Sequence, residues 1–304
     1  MTESVQRRSL GGYVVEAGLA GAGYSWADHP EVALVETARP GRSAYETVLA
    51  QNAWNVIDRR TFWALLRKYP KRRWARYVSR RAIARVNMRR AGRVVCLTDA
   101  MGDLCRPYAR DIVVSPVTVP VDFLDRAEVQ TDGQWADAVL VPGTVTWHKD
   151  PLAAFAVTAQ LQKRGLPIAR IVFGGSDDGS ECWSAVEEAS RAAGLPASRQ
   201  VLTREEMVVA CASAAAVVVT SALESLSLSV AEALFLSPVV VASRIPAHVE
   251  LAERLKRQPL WLHVDGRLDA GDPEPRALLT PDTLLAEWSD LGSALGLTIG
   301  RNDA

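Results

Sequence analysis

The chain has 304 residues and a mass of 33.0 kDa, a length that corresponds to about two domains. Apolar residues make up 48% and charged residues 23%, with 20 Gly and 16 Pro, and this composition excludes collagen-like, disordered and disulfide-stapled proteins. The formal net charge is zero, but residues 1–120 contain 20 Lys and Arg against 10 Asp and Glu, and residues 121–304 have the opposite excess. The chain is therefore expected to have a basic first part and an acidic second part.

In the first part, apolar runs predict four strands, at Glu31–Glu36, Glu46–Gln51, Arg93–Leu97 and Ile112–Pro116. The segment from Arg59 to Arg93 lies between the second and third of these strands. It has a helical pattern with 14 basic residues and no acidic residue. Its basic residues recur every four positions, which lines them along one side of a helix, as at Lys68, Arg72, Arg76 and Arg80.

This basic segment has two interpretations. It is either a solvated helix with an apolar face toward the core, or a site for an anionic partner such as phospholipid headgroups, a phosphate-bearing acceptor or nucleic acid. In the first interpretation the core-facing residues are Trp74, Val78, Ile83 and Val86. The segment alone does not choose between the two.

The second part alternates strands and helices regularly, which predicts an α/β architecture with a parallel sheet. Strands are predicted at Ala138–Pro142, Ile168–Phe173, Ala215–Thr220 and Val239–Ala242, and helices at Leu152–Arg164, Trp183–Ala193, Arg204–Ser213 and Leu228–Leu236. The segment Pro116–Gln134, with two prolines and a glycine, is typical of a connector. We therefore predict one domain at residues 1–120 and a second at residues 121–304.

The longest uncharged run has 17 residues, from Met207 to Leu223, and includes Ser and Thr, so it is too short and too polar for a membrane span. The first residues of the sequence contain no apolar stretch typical of a secretory signal. The four cysteines, Cys96, Cys105, Cys182 and Cys211, have no metal-ligand spacing and are expected to be buried free thiols. We therefore expect a cytoplasmic protein, either soluble or peripheral at a membrane.

The stretch VVVTSALESLSLSVAEALFLSPVVVAS carries the most chemical information. A buried strand leads into a polar loop with Glu224, and Glu232 follows eight residues later in a helix. The free amides and the dipole at the start of such a helix suit a phosphate, and ligands of open α/β sheets bind at the carboxyl ends of strands. In the alternative interpretation, the S-x-x-E run from Ser229 to Glu232 is a capping box that only closes the helix start.

Two further motifs precede this stretch. VLVPGTVTWHKDPLAAF is a strand, a glycine turn at Gly143 and a helix start with Lys149, whose charge can neutralise a diphosphate leaving group. A lysine there opposes the helix dipole, which favours a ligand as its partner. IVFGGSDDGS ends a strand in the pair Gly174 and Gly175, a turn at which the backbone can approach a ligand closely.

In this order, the motifs resemble the C-terminal half of the retaining GT-B glycosyltransferases of family 4, over roughly Ala138 to Glu250. That family has a strand–G-R-L-x-x-x-K turn, a G-x-G turn and an E-x7-E motif. RRAIARVNMRRAGRVVCLTDAMGDLCRPYA and SLGGYVVEAGLA resemble its first domain more loosely. The resemblance implies a GT-B fold of two Rossmann-like domains with parallel sheets, with a shortened, acceptor-side N-terminal domain and a donor-binding second domain.

The resemblance also implies a retaining transfer reaction in which a nucleotide-diphosphate sugar is the co-substrate, without cofactor or metal. Lys149 would stabilise the leaving phosphate, Glu224 would bind hydroxyls of the sugar and Glu232 would bind the ribose. The other implied donor-binding residues are Gly143, Thr144, His148, Gly174, Gly175, Ser227 and Leu228. On the acceptor side the candidates are Gly11, Gly12, Gln51 and Asn52, together with Arg72, Arg76 and Arg80 for an anionic acceptor.

The sequence departs from the family pattern at several of these positions. Thr144 replaces an arginine, Ser225 and Ser227 replace glycines, and Gln51 or Asn52 replaces a first-domain histidine. These departures support a second hypothesis, a non-catalytic GT-B-like protein that binds nucleotide or glycan beside a partner enzyme. The expected partners are a nucleotide sugar and a phosphate-bearing acceptor or anionic membrane surface, and a homo-oligomer is compatible with a shortened first domain. Nucleic acid is disfavoured because the second part is acidic.

Overall fold

The computed structural model describes residues 19–20, 22–24, 29, 31–33, 37, 45–119, 132–271 and 281–297, with backbone alone at 281–285. Gly11, Gly12 and most of the predicted connector lie outside the described residues. Contacts divide the chain into two units. The first comprises Met1–Val56, Ser79–Phe123 and Thr280–Ala304, and the second comprises Ile57–Val78 and Leu124–Leu279. This division differs from the predicted domains 1–120 and 121–304 in the two transferred segments, 57–78 and 280–304.

A parallel sheet of four strands lies in the first unit, in the order β1-β2-β3-β4. Its strands are β1 (Val32–Ala33), β2 (Thr47–Ala50), β3 (Arg93–Cys96) and β4 (Ile112–Val114). Between residues 45 and 119 the helices are α1 (Arg59–Leu66), α2 (Trp74–Arg90) and α3 (Asp99–Cys105). Asp58 caps α1 and Thr98 caps α3, each by accepting hydrogen bonds from backbone N–H groups of the first turn.

The second unit contains a six-stranded parallel sheet in the order β10-β9-β8-β5-β6-β7. The strands are β5 (Ala138–Pro142), β6 (Arg170–Gly174), β7 (Ala197–Arg199), β8 (Ala216–Val219), β9 (Val240–Ser243) and β10 (Leu260–Leu262), and the helices between them are α4 (Ala153–Lys163), α5 (Cys182–Ala193), α6 (Arg204–Ser213), α7 (Leu228–Leu236) and α8 (Pro246–Arg254). This is the doubly wound Rossmann order, whose direction reverses between β5 and β8. Every residue of β5 and β8 is buried, as their continuous apolar runs predict.

Helix α9 (Pro281–Leu295) explains why residues 280–304 join the first unit. The carboxylate Oε2 of Glu287 accepts hydrogen bonds from the N–H (2.9 Å) and Oγ1 (2.8 Å) of Thr118. The indole Nε1 of Trp288 donates to the carbonyl of Val119 at 2.9 Å. These buried polar bonds fasten the helix to the segment that follows β4.

The buried face of α2 is not the one that the first interpretation of the basic segment predicts. Val78 and Val86 are exposed (41% and 42%), and Arg81 is buried. Arg81 Nη1 donates to the carbonyl of Trp54 at 3.0 Å, and Arg85 Nε donates to that of Asn55 at 3.2 Å. Carbonyls at the end of a short 3-10 turn need donors, and these guanidinium groups supply them. The predicted core-facing role of Val78 and Val86 is therefore wrong.

In the part of the chain that the structure describes, no helix has both the length and the apolar character needed to cross a membrane. The four cysteines are free and buried, as predicted.

Candidate functional site

The two predicted catalytic residues lie in contact at the carboxyl edge of the second sheet. Lys149 ends a 3-10 turn that follows β5, and Glu224 lies in the loop after β8. The ammonium Nζ of Lys149 lies 2.9 Å from the carboxylate Oε1 of Glu224, and the two side chains are 22% and 16% exposed. Because β5 and β8 are neighbours at the point where the strand order reverses, their loops meet where ligands of doubly wound sheets bind.

Hydrogen bonds to backbone carbonyls hold these two loops together independently of the ion pair. The N–H of Ala222 donates to the carbonyl of His148 at 2.8 Å. The hydroxyl of Thr220 donates to the carbonyls of Lys149 and Asp150, both at 2.9 Å. These bonds hold the loops without the Lys149 and Glu224 side chains, so the two charged groups can exchange partners with a ligand while the loops stay in place.

Glu224 is held in its ionised form. Burial by itself would raise the pKa of Glu224, but the Lys149 ammonium and the nearby His148 and His248 outweigh it and lower the pKa to about 2. The hydroxyl of Ser221 donates a further hydrogen bond to Oε1 at 2.8 Å. At neutral pH the side chain is therefore a carboxylate that can accept hydrogen bonds from hydroxyl groups.

The glycine turns after β5 and β6 lie against each other. Gly143 has φ +95°, and a Cβ there would lie 3.4 Å from Lys149 Nζ. A Cβ at Gly175 would lie 2.4 Å from the carbonyl carbon and oxygen of Gly143. The N–H of Val145 donates to the carbonyl of Ser176 at 2.8 Å. Gly175 is therefore required by the approach of two backbones, and Gly174 beside it is packed by the Met207 side chain.

Helix α7 begins beside the loop that contains Glu224, and Ser227 is its N-cap residue. Ser227 has φ +50°, in the left-handed region that favours glycine, and its side chain makes no cap hydrogen bond. Within the described residues its buried Oγ has no hydrogen-bond partner. The capping-box interpretation of Ser229 to Glu232 is wrong, because the helix starts at Leu228, which is half-buried, and Ser229 does not cap it.

Glu232 is buried on α7 and pairs with an arginine that the sequence analysis missed. Arg204 Nη1, at the start of α6, lies 2.6 Å from Oε1 of Glu232. Burial raises the pKa of Glu232, and the charge of Arg204 opposes that rise. The sequence did contain a signal for Arg204, since an arginine in the first turn of a helix opposes the helix dipole.

His148 contacts a tyrosine from the segment 57–78 that joins the second unit. The Tyr69 hydroxyl lies 3.0 Å from Nδ1 of His148, and the Thr146 hydroxyl lies 2.5 Å from the same atom. Burial lowers the pKa of His148 to about 4, so the ring is neutral at physiological pH. Arg73, in the same segment as Tyr69, forms an ion pair of 3.3 Å with Asp178. These contacts explain why residues 57–78 belong to the second unit.

The acceptor-side candidates have varied surroundings. In the first unit, Asn52 is exposed and its Oδ1 accepts a hydrogen bond from the N–H of Trp54 at 3.0 Å, so it caps a 3-10 turn, while Gln51 is half-buried. In the second unit, Arg72 is exposed and lies 3.7 Å from Glu181. Arg76 and Arg80 are exposed on α2. Thr144, a predicted donor-side residue, is half-buried.

No group of three or more His, Cys, Asp or Glu side chains in the described ranges is placed to hold a metal ion.

A second histidine, His248, is fully buried near this site. Its Nδ1 donates to the carbonyl of Ser243 at 2.8 Å, and among the described residues its buried Nε2 has no hydrogen-bond partner. Burial lowers the pKa of His248 to about 4, although the charge of Glu224 opposes the effect. The folded protein therefore binds a proton at His248 much less readily than the unfolded chain does.

We expect this burial to make the fold acid-sensitive. As pH falls from 6.5 toward 4, His248 is protonated in the unfolded chain but stays neutral in the folded protein. The free energy of unfolding therefore decreases. One pKa unit corresponds to about 1.4 kcal/mol. Over this pH range the free energy of unfolding of wild type should therefore decrease by about 3 kcal/mol more than that of His248→Asn. Urea unfolding at pH 7, 6, 5 and 4 measures the difference. Parallel pH curves for the two proteins would contradict the expectation.

Solved structures match the fold of the chain, whereas no protein-family model and no curated protein matches it. A UDP-forming α,α-trehalose-phosphate synthase from Burkholderia xenovorans, in complex with glucose-6-phosphate, matches with a TM-score of 0.50 and 11% identity, over 83% of this chain and 60% of that chain. An α,α-trehalose 6-phosphate synthase from Burkholderia multivorans has a TM-score of 0.49 and 12% identity, over 83% and 59% of the two chains.

At this level of identity the similarity shows the fold. With the two parallel sheets, it confirms the predicted fold class, and the chain has the GT-B fold of glycosyltransferases. The chain spans about 60% of the length of the structures it matches. The narrower assignment to family 4 stays a prediction.

Proposed function

We propose that the chain is a glycosyltransferase that uses a nucleotide-diphosphate sugar as donor. The observation that carries the proposal is the ion pair of Lys149 and Glu224 at the reversal point of a Rossmann sheet. Two adjacent loops there supply a cation, an ionised carboxylate and the start of helix α7. A sugar diphosphate has groups for all three, because its phosphates suit the cation and the helix amides and its hydroxyls suit the carboxylate.

In the proposed reaction, the bond between the anomeric carbon and the donor phosphate oxygen breaks, and an acceptor hydroxyl forms the new glycosidic bond on the same face of the sugar. The leaving phosphate takes the proton of that hydroxyl, as the family resemblance implies. Lys149 stabilises the charge that develops on the leaving phosphate, which is electrostatic stabilisation of the transition state. Glu224 holds sugar hydroxyls, and Glu232 holds the ribose.

The acceptor in this proposal carries a phosphate or lies at an anionic surface. Arg72, Arg76 and Arg80 are exposed, and the sequence from Arg59 to Arg93 contains 14 basic residues and no acidic residue. Arg72 lies 3.7 Å from Glu181, an exposed residue that an anionic acceptor could displace. The structurally similar synthase from Burkholderia xenovorans was solved with glucose-6-phosphate, a sugar that carries a phosphate. A positive surface of this kind raises the local concentration of anionic acceptors.

Thr144 and Ser227 favour a second candidate, a protein that binds nucleotide without transferring sugar. Thr144 stands where the resembled family has an arginine for the donor phosphates. Ser227 adopts a left-handed conformation that a glycine would adopt without strain. In this candidate the site still binds the nucleotide, but the protein no longer transfers the sugar.

A thermal-shift screen with UDP, GDP, dTDP and ADP and their sugar conjugates tests the donor site. A ligand at a hundred times its dissociation constant should stabilise the fold by about 2.7 kcal/mol. We expect a clear shift with one nucleotide, and we expect Glu232→Ala to abolish it because the ribose loses its carboxylate. Glu188→Ala, which removes an exposed glutamate of α5, is the matched control and should keep the shift.

The outcomes separate the two candidates. A shift accompanied by sugar transfer supports the enzyme, and a shift without transfer to any sugar-phosphate acceptor supports the binding protein. If none of the nucleotides or conjugates shifts the unfolding temperature, the donor site is refuted.

A further inference from the structure

The ion pair between helices α6 and α7 is a feature that the sequence motifs do not predict. Arg204 is the first residue of α6 and Glu232 is the fifth residue of α7. Their side chains meet at 2.6 Å, and they are 33% and 9% exposed. The carboxylate is therefore buried, whereas the guanidinium is partly open to solvent.

The surroundings of Glu232 do not favour a charge without a partner. Its neighbours along α7 are fully buried and apolar, namely Val230, Ala231, Ala233 and Leu234. A carboxylate in such a position takes up a proton unless a cation stabilises it. Arg204 is the cation that opposes this protonation. The charge of Glu232 thus depends on one residue of the preceding helix.

The position of Arg204 is unfavourable for its own helix. Thr203 and Glu206 form a capping box, and Glu205 also lies in the first turn, where negative charge suits the helix dipole. An arginine in the same turn has the opposite effect. Its presence there is explained by Glu232, and not by the stability of α6.

The two oxygens of Glu232 have different surroundings. Oε1 accepts the hydrogen bond from Arg204, and no donor among the described residues is bonded to Oε2. The Glu232 side chain keeps 9% of its surface exposed, so it is not fully enclosed by the protein. A carboxylate with one oxygen held by a cation and the other without a protein donor can accept hydrogen bonds from a pair of adjacent hydroxyl groups.

We propose that Arg204 is a positioning residue of the nucleotide site, which holds Glu232 by Oε1 and leaves Oε2 open to the 2′- and 3′-hydroxyls of a ribose. The inference rests on the proposed function, because it takes Glu232 to be the ribose ligand. The other titratable group that faces Glu232 is Cys211 of α6. Burial, and then the charge of Glu232, raise the pKa of Cys211, so its thiol stays neutral between pH 6 and 8.

Titration calorimetry tests this inference with UDP, GDP or ADP, whichever gives the largest thermal shift, and its 2′-deoxy analogue. Wild type should bind with an affinity that changes little from pH 8 to pH 6, and it should discriminate against the deoxy analogue. In Arg204→Met, nothing opposes the burial that raises the pKa of Glu232, so the affinity should fall toward low pH, about tenfold between pH 8 and pH 6, and the discrimination should fall with it. Arg204→Lys should restore the flat pH profile. Arg191→Met, an exposed arginine of α5, is the matched control.

A purely structural role for Arg204 predicts a different result. The affinity of Arg204→Met would then fall equally at every pH, or not at all, and Arg204→Lys would not rescue the pH profile. Either result overturns the inference while the proposed function stands. If wild type binds none of the nucleotides, the proposed function fails and the inference falls with it. A double-mutant cycle of Arg204→Met and Glu232→Gln in urea unfolding then shows whether the pair only stabilises the fold.

Discussion

Replacing Lys149 by alanine should lower the rate of sugar transfer about 10²–10³-fold, which is the usual effect of removing one group that stabilises transition-state charge. The reason is geometric. Lys149 Nζ lies 2.9 Å from Glu224 and within 3.4 Å of the position of a Cβ at Gly143, so the cation lies in the glycine turn at the carboxyl end of β5. A phosphate bound there gains negative charge as the bond to the sugar breaks, and alanine offers nothing to stabilise it.

The loop itself should survive this substitution. The Ala222 N–H and the Thr220 hydroxyl bind main-chain carbonyls of residues 148–150, and neither bond involves the lysine side chain. Release of nucleoside diphosphate in the presence of a sugar-phosphate acceptor measures kcat, and calorimetry measures the donor Kd. Lys163→Ala, an exposed lysine of α4, is the control that should behave as wild type. A raised donor Kd with an unchanged kcat would assign Lys149 to ground-state binding of the donor, and an unchanged Kd together with an unchanged kcat would exclude it from the site.

The second large effect concerns stability. Gly175→Ala should destabilise the protein by about 3 kcal/mol, at the upper end of the usual cost of overpacking. The added Cβ would lie 2.4 Å from the carbonyl carbon and oxygen of Gly143 and 2.9 Å from the N–H nitrogen of Thr144. These are backbone atoms, so no side chain can rotate away, and the two loops must separate instead.

Urea unfolding of Gly175→Ala against Gly133→Ala measures this cost. A Cβ at Gly133 meets nothing within 4 Å, so the control adds the same methyl group without a clash. Because the loop after β6 holds the loop that contains Lys149, we expect Gly175→Ala also to lose its thermal shift with nucleotide. Equal stability of the two variants would show that the loops move apart at little cost.

The strands at the centre of the second sheet were predictable because burial on both faces leaves a continuous apolar run. This is why β5 and β8 lie where the sequence predicts them. The strands β7 and β10 were not predicted, since each has only three residues and β7 is the polar sequence Ala-Ser-Arg. A segment of this length becomes a strand because it pairs with a neighbouring strand. That neighbour is distant in the sequence, so the local pattern of residues does not predict the pairing.

The same distinction applies to the site. The positions of Lys149 and Glu224 at one edge of the sheet were predictable because each follows a strong strand, and parallel strands have their carboxyl ends at the same edge, whereas their mutual contact was not predicted. Tyr69 was not, because it lies 79 residues before His148 in a segment whose composition indicates only a basic helix. The burial of Arg81 was not predictable for a related reason. Its guanidinium is buried against the carbonyl of Trp54, and charge patterns do not reveal which carbonyls lack donors.

The segment 57–78 and helix α9 have a consequence for synthesis on the ribosome. Tyr69 emerges well before its partners in the second unit, and Thr118 precedes Glu287 by 169 residues. At 5–20 residues per second, that interval is roughly 10–30 s, during which the first unit lacks its last helix. All segments of the second unit have been synthesised before residue 280, whereas the first unit cannot complete its core until α9 has been made.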